Sequence, residues 1–242
     1  MRGMKRKIRC AGRPVSVIVL AGGRGSRMKA DKAGLPLPGG TLLERVLGQV
    51  GPLFDEVLVS VSPGQKITAR YGPAAGACLP DPRTVADERP DLGPLGGILA
   101  GLRSAVNDVC AVVACDIPDV HAPLLRKLVR AASDAEIAVP VTAQGKFEPL
   151  FAVYTRAVIP KIEELVRHGE RSLIPLFGRC RTERVPLGKT GWLLNLNTRA
   201  DYEKYLKSLR SKSSGGSGSH PENSTRPRKS LKSSFSGPKT GT

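Results

Sequence analysis

Aromatic side chains, paired cysteines and long apolar runs are all scarce in this chain of 242 residues. Phe, Trp and Tyr make up 4% of it, so the alternation of aromatic and basic residues typical of single-stranded nucleic-acid-binding surfaces is missing. The five cysteines include no C-x-x-C pair, and the three histidines complete no zinc pattern, which favours a reducing compartment. No run approaches the roughly 18–20 apolar residues that cross a bilayer. We therefore expect a cytoplasmic protein with no membrane partner.

Positive charge is in excess, with 38 Lys and Arg against 21 Asp and Glu and a net charge of +17. Such an excess suggests a nucleic acid or another anionic partner. Six of the basic residues lie in residues 1–14 without any acid, and residues 208–242 carry seven against one acid. Because 25 basic and 20 acidic residues remain for 15–207, nucleic-acid binding is the weaker hypothesis for the folded part.

Composition also divides the chain into segments. We predict a basic N-terminal extension at 1–14, one folded domain at 15–207 and a disordered basic tail at 208–242. The tail holds eleven serines and five glycines and has almost no apolar side chains. It cannot bury enough surface to offset the loss of chain entropy on folding.

Apolar runs alternate with helical periodicity between residues 15 and 207. The runs 15–20 and 110–115 are typical of strands buried on both faces. A second strand is predicted at 56–61, and Thr41 to Glu44 forms a capping-box pattern. Shorter strands are predicted at 77–79, 135–139, 149–154 and 182–186, and helices at 42–50, 94–106, 120–133, 157–167 and 198–209. This order predicts an α/β fold: a single Rossmann-like three-layer domain with a mostly parallel, mixed sheet and helices on both faces.

Ligands of such sheets bind beyond the carboxyl ends of the strands, which directs attention to the loops after Leu20, Leu79 and Cys115. The first loop is glycine-rich and is followed by Arg27 and Lys32, a combination suited to phosphates. It is neither a Walker A loop nor a dinucleotide fingerprint, since Met28 stands where the fingerprint needs a third glycine. A basic surface turn is the alternative interpretation.

Asp116 follows the buried strand 110–115 directly. A carboxylate at that position, near a phosphate loop, is suited to Mg²⁺ on a nucleotide, because Mg²⁺ combines one or two carboxylates with phosphates and water. The alternative is a helix cap for the segment that starts at Val120, a function that Asp119 could equally supply.

Weaker signals come from other polar positions. Asp81 follows the predicted strand that ends at Leu79, and Asp91 begins a glycine-rich approach to a helix, where an anion could bind. Asn195 and Asn197 lie two apart in a stretch that we expect to be extended, which would place both amides on one side. Each of these residues could equally be an ordinary turn residue.

Taken in chain order, these motifs resemble those of the molybdenum cofactor guanylyltransferases, the MobA family of nucleotidyltransferases, over residues 15–205. The matching strings are L-A-G-G-x-x-x-R-M at 20–28 with D-K at 31–32, G-P-L-G-G-I-L-A-G-L at 93–102, C-D-I-P at 115–118, E-P-L-F-A-V-Y at 148–154, H-G-E-R-S-L at 168–173 and L-N-L-N-T at 194–198. The first string is shared with sugar-nucleotide and cytidylyl enzymes, whereas the ordered set is more specific.

The resemblance implies transfer of GMP from GTP to the terminal phosphate of Mo-molybdopterin, with Mg²⁺ as cofactor and release of pyrophosphate. Molybdoenzyme apoproteins or other proteins of cofactor biosynthesis are the further partners it implies. It also implies roles for individual residues: catalytic Arg27, Lys32 and Asp116; nucleotide-binding Leu20, Ala21, Gly22, Gly23, Lys32, Asp81 and Asp116; metal-binding Asp116; and acceptor-binding Arg171, Asn195 and Asn197.

Three alternatives stay open from the sequence. The first is a related nucleotidyltransferase, such as a molybdopterin cytidylyltransferase or a guanylyltransferase with another phosphorylated acceptor. The second is a nucleotide-binding domain without catalysis, suggested by Lys29 and Ser60, which stand where the family usually has Gly and often has Asn. The third is a nucleic-acid-binding protein that acts through its basic ends.

Overall fold

The structure, a computed structural model, describes residues 6–22, 32–67, 69–72, 79–89, 92–188 and 194–214. Within these residues the strands are β1 (Ser16–Leu20), β2 (Pro36–Leu37), β3 (Gly40–Thr41), β4 (Glu56–Val61), β5 (Arg83–Ala86), β6 (Val109–Ala114), β7 (Ile137–Val141), β8 (Phe151–Thr155) and β9 (Thr182–Pro186). The α-helices are α1 (Leu42–Val50), α2 (Pro94–Ser104), α3 (Ala122–Ala131), α4 (Ile159–Arg167), α5 (Leu176–Arg179) and α6 (Arg199–Ser214). In the described part of the chain, every helix is too short or too polar to cross a membrane.

Seven of the described strands form one sheet in the order β5-β4-β1-β6-β8-β7-β9. The first four are parallel to one another, and β9 is parallel to β7. Strand β8 runs antiparallel to both of its neighbours, β6 and β7. The mostly parallel, mixed sheet expected from the sequence is therefore confirmed.

Each face of the sheet is covered by its own apolar core. Along β1, Val17 and Val19 pack toward the face covered by α1 and α3, whereas Ile18 and Leu20 pack toward α2 and α4. Successive side chains of a strand point to opposite faces, so a strand between two cores must be apolar at every position. That requirement explains the apolar runs 17–20 in β1, 57–59 in β4 and 109–114 in β6.

The edge of the sheet beside β4 differs from the prediction. Most of the strand predicted at 77–79 lies outside the described residues, and Leu79 belongs to no strand. The edge strand is β5 instead, in which Arg83, Thr84 and Ala86 are exposed. A strand so exposed has no apolar run to reveal it in the sequence.

Both ends of the domain extend past the predicted boundaries of ordered structure. In the basic N-terminal extension, Ile8 and Cys10 are buried in the core that α1 and α3 cover, and the Ile8 N–H donates to the Leu53 carbonyl at 2.7 Å. At the other end, α6 continues to Ser214. The remainder of the predicted tail, residues 215–242, lies outside the described residues.

Candidate nucleotide site

A cleft of about 680 Å³ opens at the carboxyl ends of the parallel strands. It is lined by residues 20–22 after β1, 60–63 after β4, 114–116 after β6, Asp87 after β5 and the start of α2. Because β5, β4, β1 and β6 all run in the same direction, their carboxyl ends meet at one edge of the sheet. The cleft therefore lies where the sequence directed the search for a ligand site.

The start of the glycine-rich loop is held by its own hydrogen bonds. The Ala21 and Gly22 N–H groups both donate to the Ser60 carbonyl, at 2.8 and 2.9 Å, and Gln65 Nε2 donates to the Ala21 carbonyl at 3.3 Å. Gly22 lies so close to the loop after β4 that a Cβ there would be 2.8 Å from the Ser62 nitrogen. Since both N–H groups are used internally, residues 21 and 22 can hydrogen-bond to a ligand only through backbone carbonyl oxygens, each of which accepts up to two hydrogen bonds.

Lys32 joins two distant segments at the floor of the cleft. Its Nζ donates to Asp116 Oδ2 and to Asn197 Oδ1, at 3.1 Å each. The side chains of Lys32 and Asp116 are about one-fifth exposed. The Leu196 N–H also donates to the Asp116 carbonyl, at 2.9 Å, so the segment before α6 is attached to the loop after β6 through backbone as well as side-chain atoms.

The helix-cap alternative for Asp116 is not what the structure shows. Helix α3 begins at Ala122, and its N-cap is His121, whose Nδ1 accepts from the Leu124 N–H at 3.1 Å. Asp119 instead accepts a hydrogen bond from Arg45 Nη2 at 2.6 Å. The Asp116 carboxylate thus faces Lys32 in the cleft and does not cap the helix.

Asp87 lines the cleft and was missed in the sequence. It follows β5 directly, is 8% exposed, and its N–H donates to the Val61 carbonyl at 2.9 Å. Its Oδ1 accepts from the Arg89 N–H at 2.9 Å. Gly96 on α2 has no Cβ, and the Asp87 carboxylate occupies the space that a Cβ there would fill. Asp87 stands after its strand as Asp116 stands after β6, a signal hidden by the incorrect placement of the edge strand.

Several predicted site residues do not line the cleft. Asp81 is exposed and precedes β5, at the end of that strand away from Asp87, and Arg171 is exposed in the turn after α4. The Asn197 N–H donates to the Asn195 carbonyl at 3.0 Å, so this stretch turns and is not extended as expected. Asn195 Oδ1 is buried without a hydrogen-bond partner among the described residues.

Two other predicted residues, Gly23 and Arg27, lie outside the described residues. The remaining ones, Leu20, Ala21, Gly22, Lys32 and Asp116, all line the same cleft.

The start of α2 contributes Gly93, Pro94 and Gly97 to the lining of the cleft. The first N–H groups of a helix have no partner within the helix, and together with the helix dipole they favour an anion. This eleven-residue helix therefore adds partial positive charge to the cleft.

The donor set fits a cation that arrives together with phosphates. Among the described residues, no group of three His, Cys, Asp or Glu side chains is placed to hold a metal ion by itself. The cleft does contain the carboxylates of Asp116 and Asp87. Mg²⁺ is bound in this way in nucleotide sites, by one or two carboxylates with phosphate and water oxygens completing the shell.

Comparison with known proteins gives consistent results. A family model described as the MobA-like NTP transferase domain matches residues 17–184. A probable molybdenum cofactor guanylyltransferase of Carboxydothermus hydrogenoformans is 34% identical over 200 residues, which cover 80% of this chain and 95% of that protein. The molybdenum cofactor guanylyltransferase of Pseudomonas putida is 38% identical over 162 residues, covering 66% and 80%.

Solved structures share the same fold. The molybdopterin-guanine dinucleotide biosynthesis protein A of Archaeoglobus fulgidus superposes with a TM-score of 0.66 at 26% identity, covering 81% of this chain and 99% of that one. The 2-C-methyl-D-erythritol 4-phosphate cytidylyltransferase of Thermus thermophilus superposes with a TM-score of 0.60 at 19% identity, covering 81% and 99%. At that identity the second likeness concerns the fold alone.

Proposed function

The chain belongs to the family of MobA-like NTP transferases, and from that premise we propose that it transfers GMP from GTP to the terminal phosphate of Mo-molybdopterin. Family membership makes it a nucleotidyltransferase of molybdenum cofactor biosynthesis; the base and the acceptor are the proposal. The observation that carries it is Lys32, which lines the cleft and bridges Asp116 and Asn197.

The reaction joins two anions, so the main task of the protein is to align them and to neutralise charge. An oxygen of the acceptor phosphate forms a bond to the α-phosphorus of GTP, and the bond from that phosphorus to the bridging oxygen of the β-phosphate breaks. Pyrophosphate leaves with the electron pair. The attacking phosphate is already ionised near neutral pH, so the site needs no general base.

In this scheme Lys32 places its ammonium group beside the phosphates, and Asn197 and Asp116 hold that group in position from either side. Asp116 would hold Mg²⁺, with phosphate and water oxygens completing its coordination. When bound, the ion supplies Lewis-acid stabilisation of the charge on the transferred phosphate. Arg27 is proposed to add a further cation, as the family motif implies.

Nucleotide recognition is proposed to use the carbonyl groups of residues 20–22 and the Asp87 carboxylate. Guanine carries N–H donors and the ribose carries hydroxyl groups, which carbonyl and carboxylate oxygens accept. Asp87 is proposed as this contact in place of Asp81, which the resemblance implied, because Asp87 lines the cleft and Asp81 does not. Asn195, Asn197 and Arg171 do not line the cleft either, and their acceptor-side role is proposed on the family motifs alone.

The test is incubation of the purified protein with Mo-molybdopterin, GTP and Mg²⁺, followed by mass analysis of the product and measurement of pyrophosphate. We expect molybdopterin guanine dinucleotide in amounts equal to the pyrophosphate released. Parallel reactions with CTP and ATP test the base, and molybdopterin without metal or a sugar phosphate tests the acceptor.

Each outcome decides between the open alternatives. Faster turnover with CTP would assign the protein as a cytidylyltransferase and overturn the choice of GTP. Tight GTP binding without pyrophosphate release from any acceptor would indicate a nucleotide-binding domain without catalysis.

A further inference from the structure

Two segments of the candidate site are joined at a second point, away from Lys32. Tyr205 on α6 donates its hydroxyl to Asp119 Oδ1 at 2.8 Å. Asp119 lies three residues after Asp116, and Tyr205 lies eight residues after Asn197. The loop after β6 and the segment that leads into α6 are therefore tied once in the cleft and once behind it.

Helix α1 completes this second junction. Arg45 Nη2 donates to Asp119 Oδ1 at 2.6 Å, Arg45 Nε donates to the Pro118 carbonyl at 3.1 Å, and the guanidinium lies 5.6 Å from the centre of the Tyr205 ring. Gln49, one turn further along α1, donates to the Pro118 carbonyl at 2.8 Å and accepts from the Val120 N–H at 2.9 Å. The loop that carries Asp116 is thus held along its length by α1.

Tyr205 is fixed by apolar packing as well as by its hydroxyl. It is 3% exposed and packs in one cluster with Leu37, Leu42 and Leu196. Burial, and then the hydrogen bond to Asp119, raise the pKa of the Tyr205 hydroxyl well above its ordinary value, so the hydroxyl remains a donor. Leu196, in the same cluster, is the residue whose N–H binds the Asp116 carbonyl.

We propose that Tyr205, Asp119 and Arg45 are positioning residues that fix the Asp116 loop against the Asn197 segment and so hold Lys32 and Asp116 in register for transfer. None of the three lines the cleft. The inference rests on the proposed function, since it concerns the geometry of that site. The physical reason is that a charged site works only when its groups are held within a few tenths of an ångström, and supporting contacts of this kind commonly change rates by about 10–100-fold.

The matched pair of variants is Tyr205→Phe and Tyr202→Phe. Both tyrosines lie on α6 and both donate their hydroxyl, Tyr205 to Asp119 and Tyr202 to the Pro36 carbonyl. For Tyr205→Phe we expect kcat for GMP transfer to fall about tenfold, with KM for GTP within about twofold of the wild type. The Mg²⁺ concentration for half-maximal rate should rise. Tyr202→Phe should leave all three values unchanged.

A second comparison tests the role of Asp119 as an acceptor. Asp119→Asn keeps an oxygen that can accept from both Tyr205 and Arg45, so it should retain most of the wild-type kcat. Asp119→Ala removes the acceptor and should reproduce the loss seen in Tyr205→Phe. Equal losses in the two Asp119 variants would contradict a positioning role that depends on this hydrogen bond.

Hydrogen exchange of the protein alone gives a readout that needs no substrate. The Leu196 amide, bound to the Asp116 carbonyl, should exchange faster in Tyr205→Phe and at the wild-type rate in Tyr202→Phe. Wild-type exchange together with wild-type kcat in Tyr205→Phe overturns the inference, and so does a loss of rate that matches the fraction of unfolded protein. If the wild type itself transfers no GMP, the proposed function fails, while the exchange experiment still decides whether the junction fixes the loop.

Discussion

Two polar clusters lie at opposite ends of the same parallel strands, and they differ in how completely their hydrogen bonds are satisfied. At the amino end, Glu56 Oε2 accepts from Ser16 Oγ at 2.6 Å and from the Val106 N–H at 2.9 Å, while Oε1 accepts from Arg83. Asn107 Nδ2 donates to the same Ser16 hydroxyl at 3.0 Å. Both Glu56 oxygens are therefore bound, and the residue is 9% exposed.

At the carboxyl end, Lys32, Asp116 and Asn197 form a cluster of similar chemistry that faces a cleft. Its charged groups are partly exposed, and Lys32 and Asp116 both line space that a ligand can enter. A saturated, buried cluster stabilises the fold, whereas an open cluster keeps charge available for a substrate. The comparison indicates that the cluster at the amino end serves stability and the cluster at the carboxyl end serves activity.

The largest effect is expected for Asp116→Asn, which tests the open cluster at the carboxyl end of the strands. Loss of the carboxylate should reduce kcat more than about 100-fold, because it removes charge stabilisation at the reacting phosphate. The free energy of unfolding should change by less than about 1 kcal/mol, since the pair with Lys32 is partly exposed. Steady-state pyrophosphate release and denaturant unfolding are the two measurements.

Asp108→Asn is the matched control for that change. Asp108 is exposed and immediately precedes β6, at the other end of the strand that Asp116 follows. We expect wild-type turnover and stability from it. Full activity of Asp116→Asn with Mg²⁺ would remove the metal assignment.

Lys32→Ala should be the next most severe change. Removing the ammonium group should weaken GTP binding and lower kcat, with a combined loss of about 30-fold in kcat/KM, or ~2 kcal/mol. Calorimetry with GTP and steady-state kinetics measure the two parts. Lys127→Ala, which removes an exposed lysine on α3, is the control, and unchanged GTP affinity in Lys32→Ala would count against a phosphate-binding role.

Glu56→Gln tests the buried cluster at the amino end of the strands. We expect it to lower the free energy of unfolding. Burial alone would raise the pKa of Glu56, but the hydrogen bonds from Ser16, Arg83 and the Val106 N–H outweigh it and lower the pKa below its usual 4.5. The charged form thus stabilises the fold above pH 4.5, and this contribution is lost as the pH falls through the lowered pKa. At pH 7 we expect the substitution to cost about 1–2 kcal/mol.

Urea unfolding at pH 7 and at pH 3.5 measures this contribution. The difference between wild type and Glu56→Gln should be large at pH 7 and smaller at pH 3.5. GMP transfer by the folded variant should stay within about twofold of the wild type. A large loss of kcat without a loss of stability would contradict the assignment of the amino-end cluster to stability.

The smallest effect is expected for Asp87→Asn, compared with Asp81→Asn. Asp87 lines the cleft after β5, whereas Asp81 precedes that strand. We expect KM for GTP to rise about fivefold in Asp87→Asn, the loss of roughly one hydrogen bond to the nucleotide. Asp81→Asn should bind GTP as the wild type does. The reverse result would restore Asp81 as the nucleotide contact.

The fold could be predicted for the central, buried strands and less well for the edge of the sheet. The strands β1, β4 and β6 carry apolar runs because both of their faces are covered, and the capping box of α1 is present as expected, with Thr41 and Glu44 in reciprocal hydrogen bonds. Strand β5 was missed because its side chains are exposed. The direction of β8 could not be predicted, because strand direction depends on chain path and not on local pattern.

The candidate site could likewise be predicted only in part. Asp116 and Lys32 were predicted because each stands beside a motif that is recognisable in the sequence. Asp87 was missed together with its strand. The contact of Asp119 with Arg45 and Tyr205 involves residues 74 and 86 positions apart, a separation at which single-sequence patterns carry no information.

The Lys32 bridge has a consequence for when the protein can become active during its synthesis. Lys32 is 84 positions from Asp116 and 165 from Asn197. The bridge cannot close until the ribosome has released residue 197, long after β1 and the glycine-rich loop have emerged. Closing loops of this length has an entropic cost that only the packed domain can offset. A nascent chain whose glycine-rich loop has already left the ribosome therefore still lacks the assembled site, and activity should arise only when helix α6 docks.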